Sequence, residues 1–280
     1  MHTAFDEQQH AKAIVFKALH ERAGIFAAPN PWDAGSARML AGLGFEALAT
    51  TSAGLAFSLG KPDGEGAVSR DETLRNIREI VTATHLPVSA DLENGYGDAP
   101  EACAAVILQA AGAGLAGGSI EDATGRPDDP VYPFELSVDR IKAAAEAVRS
   151  LPFPFMLTAR AENLIYGRPD MPDTIRRLVA YAEAGADVLF APGLKTREEI
   201  ETVVKAVAPK PLNVVMGLGN VSFSLQELAD MGVKRVSLGS SLVRAAYGAF
   251  YKAAQEIQEK GTFTYAAGAI AYGEINGLLR

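Results

Sequence analysis

The sequence predicts an α/β fold, a single (β/α)8 TIM barrel spanning all 280 residues. Three observations carry that prediction. Short apolar runs ending in Gly, Pro, Asp or Glu alternate with longer segments of helical spacing. Eight such units follow one another with no low-complexity stretch or linker between them. The apolar runs are nearly continuous, which marks parallel strands covered on both faces by helices. Closure into a barrel is the simplest arrangement of eight regular units, with an open doubly wound sheet as the alternative.

In chain order, a helix at about 7–22 precedes the first strand, 24–29 (GIFAAP). The next strands are 47–52 (ALATTS), 87–92 (PVSADL) and 117–121 (GGSIE), after helical patterns at 33–43, 69–84 and 99–113. Ser69-Arg70-Asp71-Glu72 reads as a capping box opening the second of these helices. The second half supplies strands 155–160, 187–192, 211–216 and 235–239, separated by helices at 137–149, 172–184, 196–207 and 222–231. Gly44, Gly114, Gly185 and Gly232 fall where a helix ends in the left-handed conformation. A last helix at 242–259 opens a C-terminal helical tail that runs to 280.

Composition is globular, 48% hydrophobic and 21% charged, with a net charge of -8. An acidic surface argues against nucleic acid or anionic membrane as the main partner. The single cysteine, Cys103, forbids an intramolecular disulfide and fits a cytoplasmic protein. The N-terminus carries early acidic residues and no long apolar core, so it reads as neither signal peptide nor membrane anchor.

In a parallel barrel, catalytic groups gather at the C-terminal ends of the strands. Those ends read Ser52-Ala53-Gly54, then Asp63 in a following loop, Asp91-Leu92-Glu93, Glu121-Asp122 and Arg160-Ala161-Glu162. Asp91 and Glu93, two apart, would project to one side of an extended chain. Glu121 joins them from the next strand, and Asp63 folds over from its loop. Several carboxylates at one locus repel unless a cation is present. Oxygen donors without a His or Cys cluster favour Mg²⁺, or Mn²⁺, over zinc. A single strand-end carboxylate is more often solvated or a helix cap, and Asp122 is read that way. The four histidines (His2, His10, His20, His85) avoid the strand ends and receive no role.

The run Asp91-Leu92-Glu93-Asn94-Gly95-Tyr96-Gly97 resembles the phosphoenolpyruvate mutase/isocitrate lyase superfamily. So do Ala27-Ala28-Pro29-Asn30 with Trp32-Asp33-Ala34, Thr51 to Leu55, Leu59 to Asp63, Ser119 to Asp122 and Thr158-Ala159-Arg160, in family order across the barrel. The resemblance implies Asp91 as the most direct Mg²⁺ ligand, with Asp63, Glu93 and Glu121 acting largely through its waters. It implies Arg160 on the substrate carboxylate or developing enolate oxygen, and the backbone of Ser52, Ala53 and Gly54 on the other end of a 2-oxo acid. It also implies a homo-oligomer, a dimer of dimers, with the 242–259 helix swapped between subunits.

The chain departs from the lyases after the fourth strand, where their Lys-x-Cys-Gly-His phrase is replaced by Ala123 to Tyr132 without Cys, Lys or His. The lyases' glutamate after the sixth strand gives way to Pro192, and the 216–220 segment is also unlike theirs. Arg126, Tyr132 and Arg168 are candidates for the variable end of the substrate, with surface or capping roles as the plainer reading. The expected function is a Mg²⁺-dependent lyase that cleaves a C–C bond beside the carbonyl of a small 2-oxo or 2-hydroxy dicarboxylate. P–C bond chemistry on phosphonopyruvate and non-catalytic binding of a 2-oxo acid are the alternatives.

Overall fold

The computed structural model describes residues 7–219 and 222–280, so His2 and Asn220 lie outside it. The first half runs α1 (Glu7–Glu21), β1 (Phe26–Ala28), α2 (Ala34–Gly42), β2 (Leu48–Ala49), α3 (Ser52–Ser58), α4 (Arg70–Ala83), β3 (Val88–Asp91), α5 (Pro100–Gly112) and β4 (Gly117–Glu121). The second runs α6 (Phe134–Arg149), β5 (Met156–Arg160), α7 (Met171–Ala184), β6 (Val188–Phe190), α8 (Arg197–Val207), β7 (Leu212–Val215), α9 (Leu225–Asp230), β8 (Arg235–Ser237) and α10 (Ser241–Lys260). A 3-10 turn (Thr264–Gly268) and α11 (Tyr272–Leu278) follow.

All eight strands are parallel, in the order β1-β8-β7-β6-β5-β4-β3-β2. The remaining seam, between β1 and β2, is bridged where the Ala49 amide donates to Pro29 O at 3.0 Å. Asn30 reinforces it. Its side-chain amide donates to Thr50 O (2.8 Å), while its Oδ1 accepts from the amides of Leu238 (2.7 Å) and Gly239 (3.0 Å) at the end of β8. The barrel prediction therefore holds, and the open-sheet alternative falls.

Local rules explain the elements. Ser69 and Glu72 form the expected capping box on α4. Gly44, Gly114, Gly185 and Gly232 all sit at positive φ, between 86° and 113°. Thr51 accepts from the Gly54 amide at 3.2 Å and caps α3, a helix the sequence reading did not anticipate; it cuts the 47–52 strand down to Leu48–Ala49. Among the described residues no helix is long and apolar enough to cross a membrane.

The apolar core lies between strands and helices, whereas the barrel interior also carries polar side chains, among them Ser89, Ser119, Asn213 and Arg235. α1 packs against the strands' N-terminal ends through Phe16, Leu19 and His20, all buried. Gly117 of β4 is required there, since a Cβ would lie 2.8 Å from Phe16 Cε1. His20 donates its Nδ1 proton to Phe16 O (2.8 Å), leaving Nε2 facing Arg235. Burial, with the Arg235 charge adding to it, holds His20 down at about 3, so the imidazole is neutral.

Candidate active site

Asp91 ends β3 and is fixed from three directions. Its amide donates to Thr50 Oγ1 (3.0 Å), its Oδ1 accepts from the Glu93 amide (3.1 Å), and its Oδ2 accepts from the Ser52 amide (3.4 Å). The extended geometry expected for Asp91 and Glu93 is not observed. The strand stops at Asp91, Gly95 N–H donates to Leu92 O (2.9 Å), and Glu93 and Tyr96 adopt φ of 48° and 61°. A tight turn, not strand alternation, therefore brings the two carboxylates together. Left-handed non-glycine residues cost on the order of 1–3 kcal/mol each and persist only where the surroundings impose them.

Arg140 of α6 imposes this one. Its NH1 donates to Gly97 O and Asp98 O, both at 2.6 Å, its NH2 donates to Asn94 O, and the guanidinium stacks 4.2 Å from the Tyr132 ring centroid. Cys103 is buried beneath the turn, where a Cβ on Gly95 would meet its Sγ at 3.0 Å.

Arg160 is the hub of the rim. β4 and β5 place Glu121 and Arg160 side by side in register. NH1 lies 3.0 Å from Asp91 Oδ1 and 3.1 Å from Glu121 Oε2, while Nε and NH2 both reach Glu162 Oε1 at 2.8 Å. Glu162, given no role from sequence, is thus a rim residue. Its spacing two beyond Arg160 was the available signal. Its amide donates to Asp122 Oδ1 (2.8 Å), and Asp122 Oδ2 accepts from Arg177 NH1 (2.9 Å) and Tyr181 OH (2.6 Å). Asp122 is therefore neither solvated nor a helix cap. It is a buried ion-pair partner that braces the rim from behind.

Ser52, Ala53 and Asp63 line the same chamber as Asp91 and Arg160, a cavity of about 180 Å³ that reaches down the barrel to Arg235. Gly54 does not reach its wall. Its amide is taken by Thr51, and a Cβ there would lie 2.5 Å from Thr51 Cγ2 and 2.9 Å from Trp32 Cβ. A wider cleft of about 550 Å³ opens beside the chamber, between Gly64, Glu93, Tyr96, Glu121, Thr124 and Tyr166. Pro192 is on the chamber wall. Arg126 instead pairs with Asp98 at 3.1 Å, Tyr132 is buried and donates to Asp98 (2.6 Å), and Arg168 lies at the surface near Asp129, so none of the three grips the chamber.

Charge is unbalanced at the rim, where Asp63, Asp91, Glu93, Glu121 and Glu162 share one guanidinium. Burial, then Asp91 and Asp63, pushes Glu93 up to about 7. Burial lifts Glu162 to about 7 despite Arg160, and holds Glu121 well above the carboxylate range. Asp63 is raised by burial and by Asp91, against a hydrogen bond from Ser52. Among the described residues no three His, Cys, Asp or Glu side chains converge closely enough to form a ready-made metal cage. Arg160 sits between Asp91 and Glu121 and separates their near oxygens.

The phosphoenolpyruvate phosphomutase family matches residues 16–258 of the chain. The protein belongs to the phosphoenolpyruvate mutase/isocitrate lyase superfamily. Its sequence is 32% identical to the 2-methylisocitrate lyase of Shewanella oneidensis over 78% of this chain and 75% of that one. Its fold superposes on a Burkholderia cenocepacia J2315 protein, described no further than as a lyase/mutase, with a TM-score of 0.94 and 57% identity over 97% and 96% of the two chains. It also superposes on oxaloacetate acetylhydrolase bound to its product oxalate, with a TM-score of 0.88 and 26% identity over 98% and 95%. Residues 16–258 of this superfamily member contain the barrel and the whole carboxylate rim.

Proposed function

We propose that this superfamily member is a Mg²⁺-dependent lyase that cleaves a C–C bond beside the carbonyl of a small 2-oxo or 2-hydroxy dicarboxylate through an enolate. The observation that carries the reading is the rim of five carboxylates, with Asp91, Glu121 and Glu162 paired to Arg160 and Asp63 and Glu93 raised by burial and by the charge of Asp91. The donor set fits a hard divalent cation: oxygen ligands only, with a negative excess that one guanidinium does not offset. Asp91 would hold Mg²⁺ directly, with Asp63, Glu93 and Glu121 binding its waters. When bound, the ion supplies positive charge where the carbonyl oxygen gains negative charge. Mn²⁺ has the same donor preference.

The chain's own groups do the rest. Arg160 holds Asp91 and Glu121 apart and lines the chamber, so its positive charge lies within reach of a developing enolate there. Ser52 anchors both Asp91, through its amide, and Asp63, through its side chain. Glu93, raised by burial and by Asp91 in the metal-free protein, lines the cleft beside the chamber. The loop at 123–132, without a cysteine, is tied down by the Ala123–Val131 bridge and by Arg126 on Asp98. The proton needed after cleavage is therefore assigned to the rim or to water.

Turnover of oxaloacetate (to pyruvate and CO₂), methylisocitrate (to pyruvate and succinate), isocitrate (to glyoxylate and succinate) and phosphonopyruvate (to pyruvate and phosphate), with and without Mg²⁺, tests this. Turnover of a carbon acid abolished by EDTA and by Asp91→Ala supports it. Turnover of phosphonopyruvate alone favours P–C chemistry, tight oxalate binding without turnover favours a binder, and metal-independent turnover sinks the mechanism. The same reading includes a homo-oligomer, a dimer of dimers. α10 buries only Val243 and leaves Tyr247, Phe250, Tyr251 and Ile257 exposed, a face suited to a second copy. Light scattering that gives a monomer at micromolar concentration would remove that part.

A further inference from the structure

The chamber has two ends, and only the upper one is spoken for by the carboxylate rim. TIM-barrel interiors are filled mainly by bulky branched side chains. Here the chamber wall includes the small or polar Ser89, Ser119, Asn213 and Ser237 beside Phe190 and Val215, and Arg235 is part of it. Arg235 is 4% exposed. Its Nε donates to Asn213 Oδ1 (2.8 Å), NH2 donates to Thr158 Oγ1 (3.0 Å), and NH1 faces His20 Nε2 at 3.5 Å. Every one of these partners is neutral. Among the described residues Arg235 makes no ion pair, whereas Arg160 is paired with three carboxylates.

A buried cation without a counter-ion is costly, and the fold places it on the wall of the cavity that also holds Asp91 and Arg160 of the rim. Thr158 lies two residues before Arg160 on β5. The Arg235 guanidinium therefore sits one inward layer below the rim, roughly 6–7 Å along the strand. A four-carbon diacid spans such a gap, and oxalate does not.

We propose that Arg235 is the specificity-determining residue of the chamber, receiving the far carboxylate of a dicarboxylate whose other end lies at the rim. This rests on the reading that the chamber takes a small dicarboxylate. The reacting end meets Asp91, Arg160 and the Ser52–Ala53 backbone, and the far carboxylate meets Arg235 with Ser237 and Ser119 beside it. The inference sorts substrates by length and by a second negative charge, which the rim alone does not.

Binding is read without turnover, so an inactive panel would count against the proposed reaction and leave this test intact. Oxalate, succinate and butyrate are titrated with Mg²⁺ present, by calorimetry or by fluorescence of Trp32, the only tryptophan, which packs beside Gly54. Succinate is expected to bind at least about tenfold more tightly than butyrate, the measure of one charge-assisted bidentate contact. Arg235→Met should bring the two within about twofold and leave oxalate unchanged. Asn213→Asp is the second variant, since it gives the guanidinium a built-in carboxylate at the Nε contact without emptying the core. It should abolish the succinate preference while raising the Tm. Equal binding of succinate and butyrate by the unaltered protein overturns the proposal. So does loss of oxalate binding in either variant, or a preference that survives Asn213→Asp.

Discussion

Asp122→Asn removes one charge from the brace behind the rim and leaves the shape nearly unchanged. The amide oxygen can still accept from the Glu162 amide, and Tyr181 can rotate its hydroxyl to accept from the new NH₂ group. Arg177 cannot adapt, because it has donors only. Its NH1, now 2.9 Å from a carboxylate oxygen, would face an NH₂ group and keep Asp173, at 2.7 Å from Nε, as its one charged partner. Breaking a buried pair costs about 3–5 kcal/mol, and the surviving Asp173 contact puts this case at the low end, about 3 kcal/mol. For a chain of this size that is a fall of about 5 °C in Tm. Calorimetry at pH 7 measures it, with Tyr181→Phe as the control that removes one hydrogen bond, about 1 kcal/mol. A fall under about 2 °C for Asp122→Asn, or a larger one for Tyr181→Phe, would refute the reasoning that the charge, rather than packing, carries the brace.

The raised rim carboxylates set a pH dependence. With folded values above their ordinary 4.5, Glu93 and Glu162 retain protons that the unfolded chain has lost, so metal-free stability should fall as pH rises from about 4.5 to about 7. Mg²⁺ should reverse that fall, its stabilising effect growing with pH as protons cease to compete; a thermal-shift series from pH 5 to about 8 with EDTA or Mg²⁺ reads it. Arg160→Lys should lower kcat/KM about 10²- to 10³-fold on whichever acid is turned over, since an ammonium cannot span Asp91, Glu121 and Glu162 together. Gly54→Ala should cost about 1–3 kcal/mol in denaturant unfolding, because the added methyl collides with Thr51 and Trp32.

Much of the barrel was legible because its signals are local. Apolar runs, the Ser69 capping box and the glycines after α2, α5, α7 and α9 each report on a few adjacent residues. The rim residues Asp91, Glu121 and Arg160 were legible for the same reason, as polar groups at the ends of recognisable strands. What escaped depends on partners far along the chain. Asp122 looks like any strand-end carboxylate until Arg177, 55 positions on, and Tyr181, 59 positions on, are known to cover it. Glu93 was placed by strand periodicity, which fails once the backbone turns left-handed under Arg140. Arg235 opens a short strand and received no role from sequence, since nothing nearby in the chain shows that Asn213 and Thr158 enclose it.

Asn30 has a consequence of its own. One side chain ties the end of β8 to Thr50, and the Thr50 hydroxyl in turn accepts the amide of Asp91. The clasp that shuts the cylinder is thus two contacts away from the proposed ion ligand. Whatever tightens around Asp91 also tightens the clasp, and whatever slackens the clasp lets Asp91 wander. Occupancy of the chamber should therefore be visible at a distance, as slowed amide exchange at Ala49, Leu238 and Gly239, whose protons guard the closure.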